Sequence, residues 1–105
     1  MYLPDIFKTF LERHTDISDA LRTVGDLAAA AGPIENKQQH LIQLGISIGL
    51  SSKGGVRSHV RRALDAGATK EEILQTVLLS STLVGFPAMI AAYGWVNEVL
   101  TTHEG

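Results

Sequence analysis

Apolar residues recur along the chain at the three- and four-residue spacing of helices, and strand signals do not recur. Ile6, Phe7, Phe10 and Leu11 form a short apolar face after Pro4, and Asp16 is placed to cap a second helix. That helix carries the stripe Ile17, Leu21, Val24 and Ala28 and is ended by Gly32-Pro33. A third helix is expected from about Glu35 to about Leu50, and a fourth from about Gly54 to Ala66, stopped by Gly67. Thr69-Lys70-Glu71-Glu72 has the spacing of a capping box and starts a fifth. Pro87 at a first helical position opens a sixth, reaching about Leu100. The pattern predicts an all-α fold of about six helices joined by short loops.

The third helix is the most informative. Leu41, Ile42, Leu44, Ile46, Ile48 and Leu50, with Gly45 and Gly49, cover most of its circumference, which predicts an interior position. The remainder is a narrow strip of His40, Gln43, Ser47 and Ser51 stacked along one face. Polar groups on a buried helix must face a partner or a wet cavity, because each left unpaired costs about 1–3 kcal/mol. On the fourth helix Val56, Val60, Ala63 and Leu64 form the buried stripe, with His59 at its edge and Arg62 one turn further out. The cations Arg57, Arg61 and Arg62 disfavour a second positive charge, so His59 is expected to be neutral and able to accept a proton near pH 7.

The length of 105 residues bounds the chain to one domain, with a core region at about 34–100 preceded by N-terminal helices at about 4–32. Nine Lys plus Arg against eleven Asp plus Glu give a formal charge of -2, which is no footprint for nucleic acid or for an anionic membrane. The N-terminal residues lack the apolar run of a secretory signal, so a cytoplasmic location is expected. No charged residue occurs from Ile73 to Asn97, yet Gly85-Phe86-Pro87 breaks the stretch into helices better buried in protein than in lipid. The apolar surface exceeds what a small monomer can hide, which predicts a symmetric homo-oligomer. There is no cysteine, hence no disulfide, thiolate nucleophile or thiolate metal site in this chain.

The run Arg61-Arg62-Ala63-Leu64-Asp65-Ala66-Gly67-Ala68-Thr69-Lys70-Glu71-Glu72-Ile73, followed by an apolar helix and Gly85-Phe86-Pro87-Ala88, resembles the carboxymuconolactone decarboxylase family, which includes alkylhydroperoxidase D. Leu41-Ile42-Gln43-Leu44-Gly45-Ile46-Ser47 is similar to the family's first core helix. The resemblance implies a helical trimer or hexamer with a pocket near subunit contacts. In the peroxidase branch a CxxCxxxH motif opens one helix, and a glutamate on the preceding helix acts with the histidine on a cysteine. By spacing, the two cysteine positions fall on Ser52 and Gly55, the histidine on His59 and the glutamate on His40. A serine hydroxyl cannot run a disulfide cycle, so cysteine-dependent peroxide reduction is excluded for these residues.

The decarboxylase branch keeps the histidine and needs no cysteine pair. The resemblance therefore implies a cofactor-independent acid-base reaction on a small carboxylated molecule or lactone, with His59 handling the proton and Arg62 clamping a carboxylate. His40 is the second polar group on the facing helix, and the amides of Gly54-Gly55 offer an anion site at a helix start. Ser47, Ser52 and Tyr93 complete the candidate binding set, Tyr93 being the member of the Met89, Tyr93 and Trp95 cluster most able to turn a hydroxyl into a pocket. His40 and His59 lack a third ligand at a useful spacing, so no metal is expected, and His14 and His103 are expected to be solvated. The competing reading, from another class, is a non-catalytic oligomeric binding protein on the same fold.

Overall fold

A computed structural model describes residues 5–104, apart from the side chains of His103 and Glu104. The expectations for Pro4 and for the His103 side chain lie outside the described residues. Seven helical segments follow one another: α1 (Asp5–Arg13), α2 (Thr15–Ala29), α3 (Asn36–Gly49), α4 (Lys53–Asp65), α5 (Lys70–Leu79), α6 (Ser81–Val84) and α7 (Phe86–Glu104). Six have nine residues or more, α6 is a single turn, and no strand occurs among the described residues. The fold class is all-α, as the apolar spacing predicts.

The helices fall into two compact units that meet in sequence at Pro33 and Ile34. The first holds α1 and α2. Asp16 does not cap α2: His14 holds that position without a side-chain hydrogen bond, and Asp16 lies inside the first turn, where its charge meets the amide end of the helix. The helix also stops at Ala29, short of Gly32-Pro33. Its stripe of Ile17, Leu21 and Val24 is exposed. His14 is exposed and lies against the Phe10 ring at a centroid distance of 5.0 Å.

The second unit holds the core. Leu44 and Ile48 of α3, Val56, Val60 and Ala63 of α4, Ile73 and Val77 of α5, and Met89, Ala92, Val96, Val99 and Leu100 of α7 are buried together. A fully buried side chain of this size contributes about 1.5–3 kcal/mol, so this shared cluster holds the four helices in place. Two cross-helix ion pairs add to it, Lys37 of α3 to Glu72 of α5 at 3.0 Å and Arg57 of α4 to Glu98 of α7.

Helix ends follow their capping chemistry. Gly67 takes a positive φ of 96°, and the amides of Gly67 and Ala68 close on the carbonyls of Leu64 and Ala63, a Schellman stop for α4. The Thr69–Glu72 capping box forms with both reciprocal hydrogen bonds. One break was not expected: the Ser80 hydroxyl donates to the Val77 carbonyl at 2.6 Å, competing with the helix ladder, and the chain restarts as α6. Gly85, at φ 86°, then turns the chain into α7, where Pro87 is the second helical residue.

The predicted interior position of the third helix is not met within one chain. Leu44 and Ile48 are buried, but Ile42, Ile46 and Leu50 form an exposed stripe at four-residue spacing. Phe86, Ile90 and Tyr93 form another on α7. No helix among the described residues is long and apolar enough to cross a membrane.

Candidate functional site

Helices α3 and α4 make a hairpin whose turn is built from unusual local chemistry. Leu50 ends α3, and Ser51 takes a left-handed φ of 53°, a conformation that costs a non-glycine residue about 1–2 kcal/mol. The Ser51 and Ser52 amides close on the carbonyls of Ile48 and Ser47 at 3.0 and 2.9 Å, a Schellman stop with serine in the glycine place. Ser52 then starts α4 as its N-cap, the hydroxyl accepting from the Gly55 amide at 3.1 Å. The Gly55 amide is thereby engaged within the chain, which corrects the expectation that it offers a free donor to an anion.

From this turn a polar seam runs between the two helices. Its α3 side is Ser51, Ser47, Gln43 and His40, and its α4 side is Ser52, Gly55, His59 and Arg62, each set at three- and four-residue steps. Next to the turn the seam is tight. A Cβ on Gly55 would lie 2.8 Å from both the Ser47 and Ser52 hydroxyl oxygens and 3.2 Å from Ser47 Cβ. Only glycine fits there without displacing a neighbour.

At the far end the seam carries two imidazoles. The His40 and His59 rings lie 5.8 Å apart between centroids, tilted by 32°. Both side chains are half-buried, and Nδ1 of each is shielded from solvent with no hydrogen-bond partner. Burial lowers the pKa of His59, the Arg62 charge and the neighbouring His40 lower it further, and the value falls from 6.5 to about 4. Burial and Arg62 lower His40 as well, while the Gln43 side chain, accepting from a ring N–H, works the other way. Both rings are therefore neutral at pH 7, as expected of His59. The depth of the shift makes His59 a weaker base than the sequence reading assumed, because proton transfer is best served by a pKa near the working pH.

Arg62 is exposed, and among the described residues no carboxylate forms an ion pair with it. The candidate residues thus sort into two groups: His40, His59 and Arg62 at one end of the seam, and Ser47, Ser52 and Gly55 at the other. Tyr93 belongs to neither group. It lies on α7, 41% exposed, in line with Phe86 and Ile90, and is not among the groups that act on the imidazoles. Among the described residues no third His, Asp or Glu joins the imidazoles in a group able to hold a metal ion. The sequence reading missed the Ser47–Gly55 approach, whose trace is a glycine pair opening a helix. It also missed the two cross-helix ion pairs, whose partners stand 35 and 41 positions apart and leave no local trace.

The model of the carboxymuconolactone decarboxylase family matches residues 15–98, from the start of α2 to the later turns of α7. The chain belongs to the carboxymuconolactone decarboxylase family. Its fold is also that of the apo crystal structure of a carboxymuconolactone decarboxylase family protein from Legionella pneumophila, with a TM-score of 0.75 at 21% identity. The match covers 92% of this chain and 89% of the other. No curated protein matches the sequence. Within this carboxymuconolactone decarboxylase family member, which has no cysteine, the titratable side chains of the seam are His40, His59 and Arg62.

Proposed function

We propose that this carboxymuconolactone decarboxylase family member is a cofactor-independent acid-base enzyme of the lyase type, acting on a small carboxylated molecule or lactone. The observation that carries this reading is the pair of neutral, facing imidazoles with an unpaired guanidinium beside them. Loss of carbon dioxide breaks a carbon–carbon bond and leaves its electron pair as an enolate, which must be stabilised and then protonated at carbon. Arg62 holds the carboxylate, and His59 with His40 serves the developing oxyanion and its proton. Thiol-dependent peroxidase activity has no support in a chain without cysteine.

In this reading the protein is a cytoplasmic homotrimer or homohexamer. The stripes Ile42, Ile46, Leu50 and Phe86, Ile90, Tyr93 support self-association, since contiguous exposed apolar faces are characteristic of subunit contacts. A second reading, a non-catalytic binding protein, is favoured by the low basicity of His59.

Titration with five-membered lactones and their carboxylates, together with assay of carbon dioxide release, separates these readings. Saturable binding that is lost in His59→Ala and Arg62→Ala, with release of carbon dioxide, is the expected outcome. Binding without turnover of any carboxylated lactone favours the second reading. Absence of binding leaves the seam a structural feature.

A further inference from the structure

The seam holds a feature that acid-base chemistry alone does not account for. A buried polar atom without a partner costs about 1–3 kcal/mol, and here two occur on facing rings, Nδ1 of His40 and Nδ1 of His59. The penalty is smallest when the nitrogen is a bare lone pair. A proton at Nδ1 would bury an unsatisfied donor, and on a ring already protonated at Nε2 it would bury a positive charge as well. A neutral imidazole carries its one proton on one nitrogen and a lone pair on the other. With Nδ1 shielded on both half-buried rings, Nε2 is the nitrogen left to meet a ligand.

We infer that His40 and His59 are both held as the neutral tautomer protonated at Nε2, and that with Arg62 they offer a set of donors to the oxygen of a small carboxylate or enolate. This rests on the function proposed above and narrows it. His59 acts by donating its N–H toward the developing oxyanion, and not by removing a proton with a lone pair. A neutral imidazole can serve as such an electrophile without becoming charged. Amines and metal cations would meet N–H groups and the positive charge of Arg62, whereas an anionic oxygen is complementary to all three groups.

The charges around the rings agree. On α4 the charge acting on both imidazoles is Arg62, and on α3 the group facing His59 is His40. Two carboxylates that α5 and α7 bring to these helices, Glu72 and Glu98, are held by Lys37 and Arg57. The lowered pKa of each imidazole is what a shielded, unpartnered Nδ1 requires.

Long-range proton–nitrogen NMR of the imidazoles in the intact protein, over about pH 5.5 to 8 where an unperturbed histidine titrates, reads the tautomer directly. His40→Gln and His59→Gln assign the signals. Both rings are expected to show a protonated Nε2 and a bare Nδ1 across this range. A proton at Nδ1 of either ring, or two protonated nitrogens at pH 7, overturns the inference and leaves the carboxylate-binding reading intact. Addition of γ-butyrolactone-γ-carboxylate is then expected to shift both Nε2–H signals with Nδ1 still bare. If the tautomer is as stated and neither signal responds to saturating probe, the donor set and the reading it rests on both fall.

Discussion

The two ends of the α3–α4 seam are built from the same kind of position and behave in opposite ways. At the turn, Ser47, Ser52 and Gly55 fill their space so closely that a single methyl group has no room. At the far end, the imidazoles of His40 and His59 face each other at 5.8 Å between centroids and leave two nitrogens without partners. At the tight end the Ser52 hydroxyl is satisfied by the Gly55 amide. The open end keeps unsatisfied polar groups, a state that packing must stabilise from elsewhere and that is characteristic of functional positions.

The sharpest way to break this contrast is Gly55→Ala. Its Cβ would press on both hydroxyls, and overpacking of this kind costs about 1–3 kcal/mol, read as a lower urea midpoint at an unchanged slope. The same variant should also disturb the His40–His59 spacing, visible in the imidazole signals.

At the open end the expected effect depends on pH. His59 has a pKa of about 4 in the fold and an ordinary value of 6.5 in the unfolded chain. Below 6.5 the unfolded chain takes up a proton that the folded one refuses, so stability falls as pH drops from 6.5 toward 4 and is constant with respect to this group above 6.5. His59→Gln, which does not titrate, should show a shallower loss over that window when urea midpoints at several pH values are compared with wild type. The smallest effect belongs to Ser51→Gly. Relief of the left-handed strain, offset by the extra freedom glycine has when unfolded, should stabilise the hairpin by a few tenths to about 1 kcal/mol in the same assay.

The fold was legible where local chemistry decides it. Thr69 and Glu72 announce a helix start, and Gly67 announces a stop, because each acts within a few residues of itself. Ser51 gave no such signal, since serine stands where a left-handed residue is ordinarily glycine. The pairing of Ser80 with Val77, which detaches α6, was equally silent: a serine in an apolar helix reads the same whether or not it takes its neighbour's carbonyl. Asp16 misled because acidic residues suit both the cap and the first turn.

For the candidate site, the strip His40, Gln43, Ser47 and Ser51 and the edge position of His59 were visible as helical spacing. Their division into a closed and an open end was not. It depends on the Gly55–Ser47 approach between helices, and on burial deep enough to make His59 a poor base. The exposure of Ile42, Ile46 and Leu50 was also out of reach, because a wheel shows how much of a helix is apolar and not which part the same chain covers.

The close fit around Gly55 also bears on how this chain could change over time. The resemblance by spacing puts a family cysteine at that position, yet any side chain placed there now meets Ser47 and Ser52. A thiol at this position would carry a packing cost of the same kind as Gly55→Ala.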